Sequence, residues 1–424
     1  MEIITIKGGK PLFGEIQISG SKNSSLPILS CCLLTDKKLS ILGVPKLTDT
    51  FFFLELLSSL GVKISDINNL SKSQRVNLQA KNITNNKAPY DLVKKMRASI
   101  LVLGPLLART GKAIVSLPGG CAIGSRPVDI HLEAFEKLGA KISIEDGYIN
   151  ANAPKGLKGN KIIFPKISVG ATSNVMMASV LAKGITEILN AAREPEIVDL
   201  GNCLISMGAK IKGLGTSRIL IQGVTSLKET QYQVMFDRIE AGTYALAIAI
   251  TGGEIELIGV KKEPLILFLN LLEQIGIKYY ITNRSIVFKK NSNILNPVDV
   301  ATEPYPGFPT DLQAQLMATM SIANGVSVIT ENIFENRFMH VSELIRMGAN
   351  INLKSNLAII KGVKKLKGAE VMATDLRASV SLVLAALAAE GETNISRVYH
   401  IDRGYQDIVQ NLRKCGANIE REKI

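Results

Sequence analysis

Leu138-Gly-Ala-Lys-Ile142 and Met207-Gly-Ala-Lys-Ile211 are one phrase, and the chain writes it four more times. The other copies are Leu60-Gly-Val-Lys-Ile64, Ile275-Gly-Ile-Lys-Tyr279, Met347-Gly-Ala-Asn-Ile351 and Cys415-Gly-Ala-Asn-Ile419. Their glycines stand at 61, 139, 208, 276, 348 and 416, so a single unit recurs every 68 to 78 residues along the 424. Each phrase closes an amphipathic helix. Ahead of Gly208 the apolar side chains fall at Ile197, Leu200, Cys203, Leu204 and Met207, and ahead of Gly416 at Ile408, Leu412 and Cys415, both with helical periodicity. Glycine suits the left-handed residue that ends such a helix. Short strands follow, Arg218–Gln222 and Leu357–Lys361 among them.

An earlier, more apolar helix precedes a strand in each unit. Residues 99–110 lead into Lys112–Ser116, and residues 313–324 into Val326–Thr330. A helix that is apolar all round must be buried. The unit therefore reads as buried helix, strand, outer helix, strands. Units of this size cannot make a core singly, so they must pack together. The length suits two domains, each a cluster of three units with helices inside and sheets outside. A solenoid of six is the competing arrangement.

Cations gather where the buried helices begin: Lys22, Arg97, Lys166, Arg238 and Arg377 mark the first, second, third, fourth and sixth. Taken singly, each reads as a solvated surface charge. Taken together, beside helix N-termini that already favour anions, they point to several anion sites facing one cleft. The fifth start, Phe308-Pro-Thr-Asp311, has an acid instead. Asp311 is either a helix cap or, alone among cations, a general base.

Cys121 lies in Ser116-Leu-Pro-Gly-Gly-Cys-Ala-Ile-Gly-Ser-Arg-Pro-Val-Asp129. Gly119, Gly120 and Gly124 make the segment pliable, and Arg126 favours a thiolate nearby, which marks a reactive cysteine. The other four cysteines, Cys31, Cys32, Cys203 and Cys415, sit in apolar runs or on apolar helix stripes and read as core. With no CxxC and no metal-ligand spacing, these thiols fit a reducing cytoplasm. The start, Met1-Glu-Ile-Ile-Thr-Ile-Lys7, lacks a signal-peptide pattern. No apolar run approaches the roughly 20 residues that span a bilayer.

A formal charge of +13 implies anionic partners. Nucleic acid is disfavoured, because aromatic residues are scarce, Trp is absent and no basic run is long. Small phosphorylated ligands remain. Of the three histidines, His131 and His400 read as orienting groups near the cleft, and His340 as a structural hydrogen-bonding residue.

Several motifs together resemble the enolpyruvyl transferases, and among them those acting on UDP-N-acetylglucosamine. They are Gly20-Ser-Lys-Asn23, Pro118-Gly-Gly-Cys-Ala-Ile-Gly124, Asn190-Ala-Ala-Arg-Glu-Pro-Glu-Ile-Val198, Phe308-Pro-Thr-Asp311, Phe334-Glu-Asn-Arg-Phe-Met-His340 and Tyr399-His-Ile-Asp-Arg-Gly404. The resemblance runs from Gly8 to Glu420. Ser125, where the family often has Ala, and Phe236, where Pro is common, depart from it without touching the chemistry.

The resemblance implies an α/β fold: a two-domain inside-out α/β barrel of six repeats, three per domain about a pseudo-threefold axis. Domain one would be residues 22–235, and domain two residues 1–21 plus 236–424, with ligands in the cleft between them. It implies transfer of the enolpyruvyl group of phosphoenolpyruvate to the sugar 3′-hydroxyl by addition–elimination through a tetrahedral ketal, the first committed step of peptidoglycan precursor synthesis. Cys121 matches the family's proton donor, the thiol that the epoxide fosfomycin alkylates. Asp311 matches the residue that deprotonates the hydroxyl. Lys22, Arg126 and Arg403 match the cations around phosphoenolpyruvate. Asn23, Arg97, Arg126, Pro127, Val128, Asp129, Ile130, Lys166, Ser168, Val169, Asp311 and Ile333 match positions holding the UDP-sugar, and Arg377 lines the same cleft. No metal or organic cofactor, nucleic acid or membrane is implied, and the chain would be a cytoplasmic monomer. The rivals are an enolpyruvylshikimate-phosphate synthase, whose chemistry does not rest on a loop thiol, and a basic RNA-binding or phosphate cyclase-like protein.

Overall fold

The six repeated glycines all take φ between +91° and +104°, each just past an outer helix. The computed structural model describes residues 2–65, 74–94, 96–117, 128–290 and 294–423. The outer helices are α2 (Thr48–Ser59), α4 (Asp129–Lys137), α6 (Pro195–Ser206), α8 (Ile266–Ile275), α10 (Val341–Arg346) and α12 (Ile408–Lys414). Between them run the inner helices α1 (Lys22–Ser30), α3 (Leu103–Thr110), α5 (Val169–Ser179), α7 (Arg238–Thr251), α9 (Gln313–Met320) and α11 (Ser379–Ala388). The inner helices are buried on nearly every side, as their composition requires. Two are shorter than the sequence suggests. Residues 97–102 form a 3-10 turn before α3, and α9 stops at Met320, where the chain turns toward its strand.

Each repeat carries a four-stranded sheet, and all six sheets share one pattern: the first strand is parallel to the second, and the remaining pairs are antiparallel. Three of these sheets draw a strand from elsewhere in the chain. Thr230–Gln233 pairs with Lys38–Leu42. Leu12–Gln17 pairs with Gly253–Ile258, and Glu2–Lys7 lies between Glu392–Ser396 and Asn418–Lys423.

The described residues divide into two units: one holds those up to Ser19 and from Phe236 onward, the other those from Gly20 to Met235. Each has its own hydrophobic core. In the first unit, α7, α9 and α11 pack against one another with the sheets outside them. In the second, α5 packs on α3 and on the 3-10 turn that begins at Arg97, and that turn also meets α1. Ser21 caps α1 by accepting from Ser24 N (3.3 Å), so the first crossover falls between Ser19 and Gly20. Among the described residues no helix is long and apolar enough to cross a membrane.

Candidate active site

In the unit spanning residues 20–235, Lys22 is the first residue of α1 and is buried. Its Nζ lies 2.6 Å from Asp49 Oδ2, and Asp49 is buried in the first turn of α2. The expectation of a solvated charge at each inner-helix start fails here, because the acid of the neighbouring outer helix neutralises the lysine away from water. Asn23 beside it is exposed. Arg97 opens its 3-10 turn half-buried. Lys166 is exposed three residues ahead of α5, and Val169 is exposed at the start of that helix. Ser168 caps α5, accepting from Ala171 N at 3.2 Å. Val128 and Ile130 are buried at the start of α4, and Asp129 between them is exposed. Cys121, Arg126 and Pro127 lie outside the described residues.

The other unit gathers its charges around Asp311, in the 3-10 turn Thr310–Leu312 before α9. Arg337 Nη2 donates to Asp311 Oδ1 at 2.8 Å, and Arg377 Nε lies 3.7 Å from Asp311 Oδ2. Both guanidinium groups are nearly inaccessible, at 4% and 2%, whereas the Asp311 side chain keeps 23% exposure. Burial opposes the charge on Arg337, yet Asp311, Asp375 and Glu331 more than offset it and raise its pKa. Arg377 is likewise held charged against burial, by Asp237, Tyr405 and Asp311. It also reaches Asp237 Oδ2 (3.4 Å) and donates to the Gly404 carbonyl (3.0 Å), next to half-buried Arg403. Arg377 therefore does not stand open in a cleft; it ties one carboxylate to another. Arg238, first in α7, is buried too.

Glu331 is a third, wholly buried contributor. Its Oε1 accepts from Thr302 Oγ1 (2.9 Å), Ile333 N (2.9 Å) and Phe334 N (3.1 Å), and its Oε2 accepts from Thr310 Oγ1 (2.9 Å). One carboxylate thus holds the Asp311 turn and the Ile333 turn together. Sequence reasoning missed Asp49 and Glu331 altogether and quoted Arg337 only inside a motif. An acid immediately after a strand and three residues before Phe334 was the available signal for Glu331. His340 departs from expectation: it is fully buried, and neither ring nitrogen makes a well-formed hydrogen bond among the described residues. Burial drives its pKa down to about 4 against the pull of Asp375, so it packs as a neutral ring.

The arrangement can therefore do two things chemically. The first unit presents a carboxylate fixed by two arginines and still open to a hydroxyl. The second presents the start of α5, three residues after Lys166 and packed on the turn that begins at Arg97, which suits an anion. Cys31, Cys32, Cys203 and Cys415 are buried, as their apolar settings predict, and burial pushes the Cys31, Cys32 and Cys415 thiols up.

Six copies of one α/β unit on two cores, with charged residues at the inner-helix starts, define the enolpyruvyl transferase fold. Over its full length the chain superposes on the enolpyruvyl transferase NikO from Streptomyces tendae with a TM-score of 0.89 at 23% identity, covering 99% of that chain. It superposes on EPSP synthase from Acinetobacter baumannii with a TM-score of 0.76 at 20% identity, covering all of both chains. The family described as EPSP synthase (3-phosphoshikimate 1-carboxyvinyltransferase) matches residues 6–412, and the chain belongs to it. Two relatives are 55% identical, one in Dinoroseobacter shibae over 100% of both chains and one in Paramagnetospirillum magneticum over 100% of this chain and 99% of its own. Both carry the name UDP-N-acetylglucosamine 1-carboxyvinyltransferase.

Proposed function

We propose that this protein transfers the enolpyruvyl group of phosphoenolpyruvate to the 3′-hydroxyl of UDP-N-acetylglucosamine and releases phosphate, opening peptidoglycan precursor synthesis. The observation that carries this reading is the 55% identity, end to end, with proteins named for that reaction. The alternative acceptor, shikimate 3-phosphate, belongs to structural neighbours at 20% identity, which share the fold alone.

In this reading Asp311 takes the proton of the sugar hydroxyl as that oxygen attacks the central carbon of phosphoenolpyruvate. Cys121 delivers a proton to the methylene carbon, giving the tetrahedral ketal, and loss of phosphate from the central carbon together with a proton from the new methyl group then restores the double bond. Lys22, Arg126 and Arg403 offset the charge of phosphoenolpyruvate, which preorganised cations do best where water is excluded. Asn23, Arg97, Pro127, Val128, Asp129, Ile130, Lys166, Ser168, Val169 and Ile333 hold the UDP-sugar. Arg337 and Arg377 support this role of Asp311: the first hydrogen-bonds one carboxylate oxygen and the second stands 3.7 Å from the other as an ion pair. The working form is a cytoplasmic monomer that uses fixed charges and needs no cofactor.

Phosphate release from purified protein supplied with both substrates tests the reading. Release that requires phosphoenolpyruvate and UDP-N-acetylglucosamine together is expected. Release with shikimate 3-phosphate in place of the UDP-sugar would transfer the protein to the sister reaction, and silence with both acceptors would refute transferase activity.

A further inference from the structure

Asn174 ties together three segments of the unit spanning residues 20–235. It is fully buried in α5. Its Oδ1 accepts from Gly104 N at 2.8 Å, and its Nδ2 donates to the Ile100 carbonyl at 2.9 Å. A backbone N–H can only donate and a carbonyl can only accept, so these two partners fix which way the amide faces. The same Nδ2 lies 3.2 Å from His131 Nδ1. That ring nitrogen must therefore accept, and the ring proton sits on Nε2. Burial, reinforced by the positive charge of Arg97, pushes the His131 pKa down to about 4 and keeps the ring neutral.

The protonated nitrogen has somewhere to point. His131 is only 7% exposed, and its Nε2 has no hydrogen-bond partner among the described residues. A Cβ placed on Gly170 would stand 3.4 Å from it, so the imidazole edge lies against the first turn of α5. There the first N–H groups of the helix lack intrahelical partners, Ser168 is occupied in capping Ala171 N, and the exposed Lys166 precedes the turn. A donor that meets no acceptor among the described residues, beside a helix N-terminus, is a place for an anion's oxygen.

We infer that His131 is a further binding residue, presenting a neutral Nε2–H to a phosphate oxygen of the nucleotide-sugar at the start of α5, with Asn174 as the positioning residue that fixes its tautomer. This rests on the nucleotide-sugar reading above, in which the diphosphate is the substrate's anionic part. A donor of this kind adds a directed hydrogen bond without adding charge, and it stays a donor across the physiological pH range.

The test is calorimetric titration of the full-length protein with UDP-N-acetylglucosamine and with UDP. Wild-type binding of the UDP-sugar checks the underlying reading, and no binding would refute that reading. His131→Leu should weaken both ligands about tenfold or more, the range for a hydrogen bond to a charged group. His131→Gln, whose amide nitrogen reaches near the Nε2 position, should stay within about threefold of wild type on the same grounds. Unchanged affinity in a folded His131→Leu protein would overturn the inference while leaving the reading intact. Independently of any variant, the ¹⁵N spectrum of wild-type His131 should report a neutral ring protonated at Nε2, and a ring protonated at Nδ1 would overturn it.

Discussion

At the residue scale, Asp311, the carboxylate to which the proposed reaction gives the hydroxyl proton, is held rather than merely present. Asp311 shares its two oxygens between Arg337 at 2.8 Å and Arg377 at 3.7 Å, and Gln315 Nε2 donates to its backbone carbonyl at 2.9 Å. The closer arginine contributes most to aim, since a well-formed charged hydrogen bond is directional. Arg337→Ala should leave the UDP-sugar KM within a few-fold and lower kcat by about a hundredfold, the cost typical of a group displaced by about 1 Å from its reacting position. Arg337→Lys keeps the charge but not the planar fork, and should recover only part of the loss. Steady-state kinetics on proteins with matched melting temperatures separate the possibilities. A raised KM with unchanged kcat would make Arg337 a substrate clamp. None of this pairing was legible in the sequence. Asp311 stood out because it broke a run of cations, but its partners lie 26 and 66 residues further on, Arg337 in the same repeat and Arg377 in the next, and only tertiary packing brings them near. Asp49 was hidden for the same reason, on an outer helix 27 residues after Lys22.

Elements were far more legible, because what ends a helix is local. A repeated phrase of one apolar residue, a glycine and a second apolar residue specifies a helix, its stop and the following strand within five residues, and the glycines of all six copies take positive φ. The two inner helices read over 99–110 and 313–324 were placed correctly but drawn too long, since an apolar run cannot say where an α-helix begins after a 3-10 turn or where it stops. The stop signal itself can be tested by comparing two copies. At Gly348 φ is +91° and a Cβ would meet nothing within 4 Å, so Gly348→Ala bears only the backbone strain. That strain is about 1–2 kcal/mol, which for a unit of this size lowers the melting temperature by roughly 2–4 °C per kcal/mol. At Gly61 φ is +100° and the same Cβ would stand 2.6 Å from Thr84 Oγ1 and 2.9 Å from Asn82 O. Gly61→Ala should therefore cost distinctly more. Equal losses in thermal melts would mean that conformation alone governs both positions.

On the scale of the whole molecule, the five thiols fall into three groups, and each group reports a different event. Cys31, Cys32 and Cys203 belong to the core of residues 20–235, and Cys415 to the core of the other unit. All four are buried, and a buried thiol is inert toward alkylation. Native protein should accordingly take up one equivalent of fosfomycin or a small alkylating agent, at Cys121. The two separate cores should give each unit its own cooperative transition as denaturant is raised. Phe135 and Phe288 are fully buried, one in each unit. Truncating a buried Phe to Ala costs about 3–5 kcal/mol. Phe288→Ala should thus bring Cys415 labelling to lower denaturant, leaving the other three thiols at their wild-type midpoint. Phe135→Ala should advance Cys31, Cys32 and Cys203 together and leave Cys415 behind. Mass spectrometry of pulse-labelled samples separates these patterns. If all four thiols moved together in both variants, the two cores would be one cooperative unit despite their separate packing, and the independence argued from the cores would be wrong.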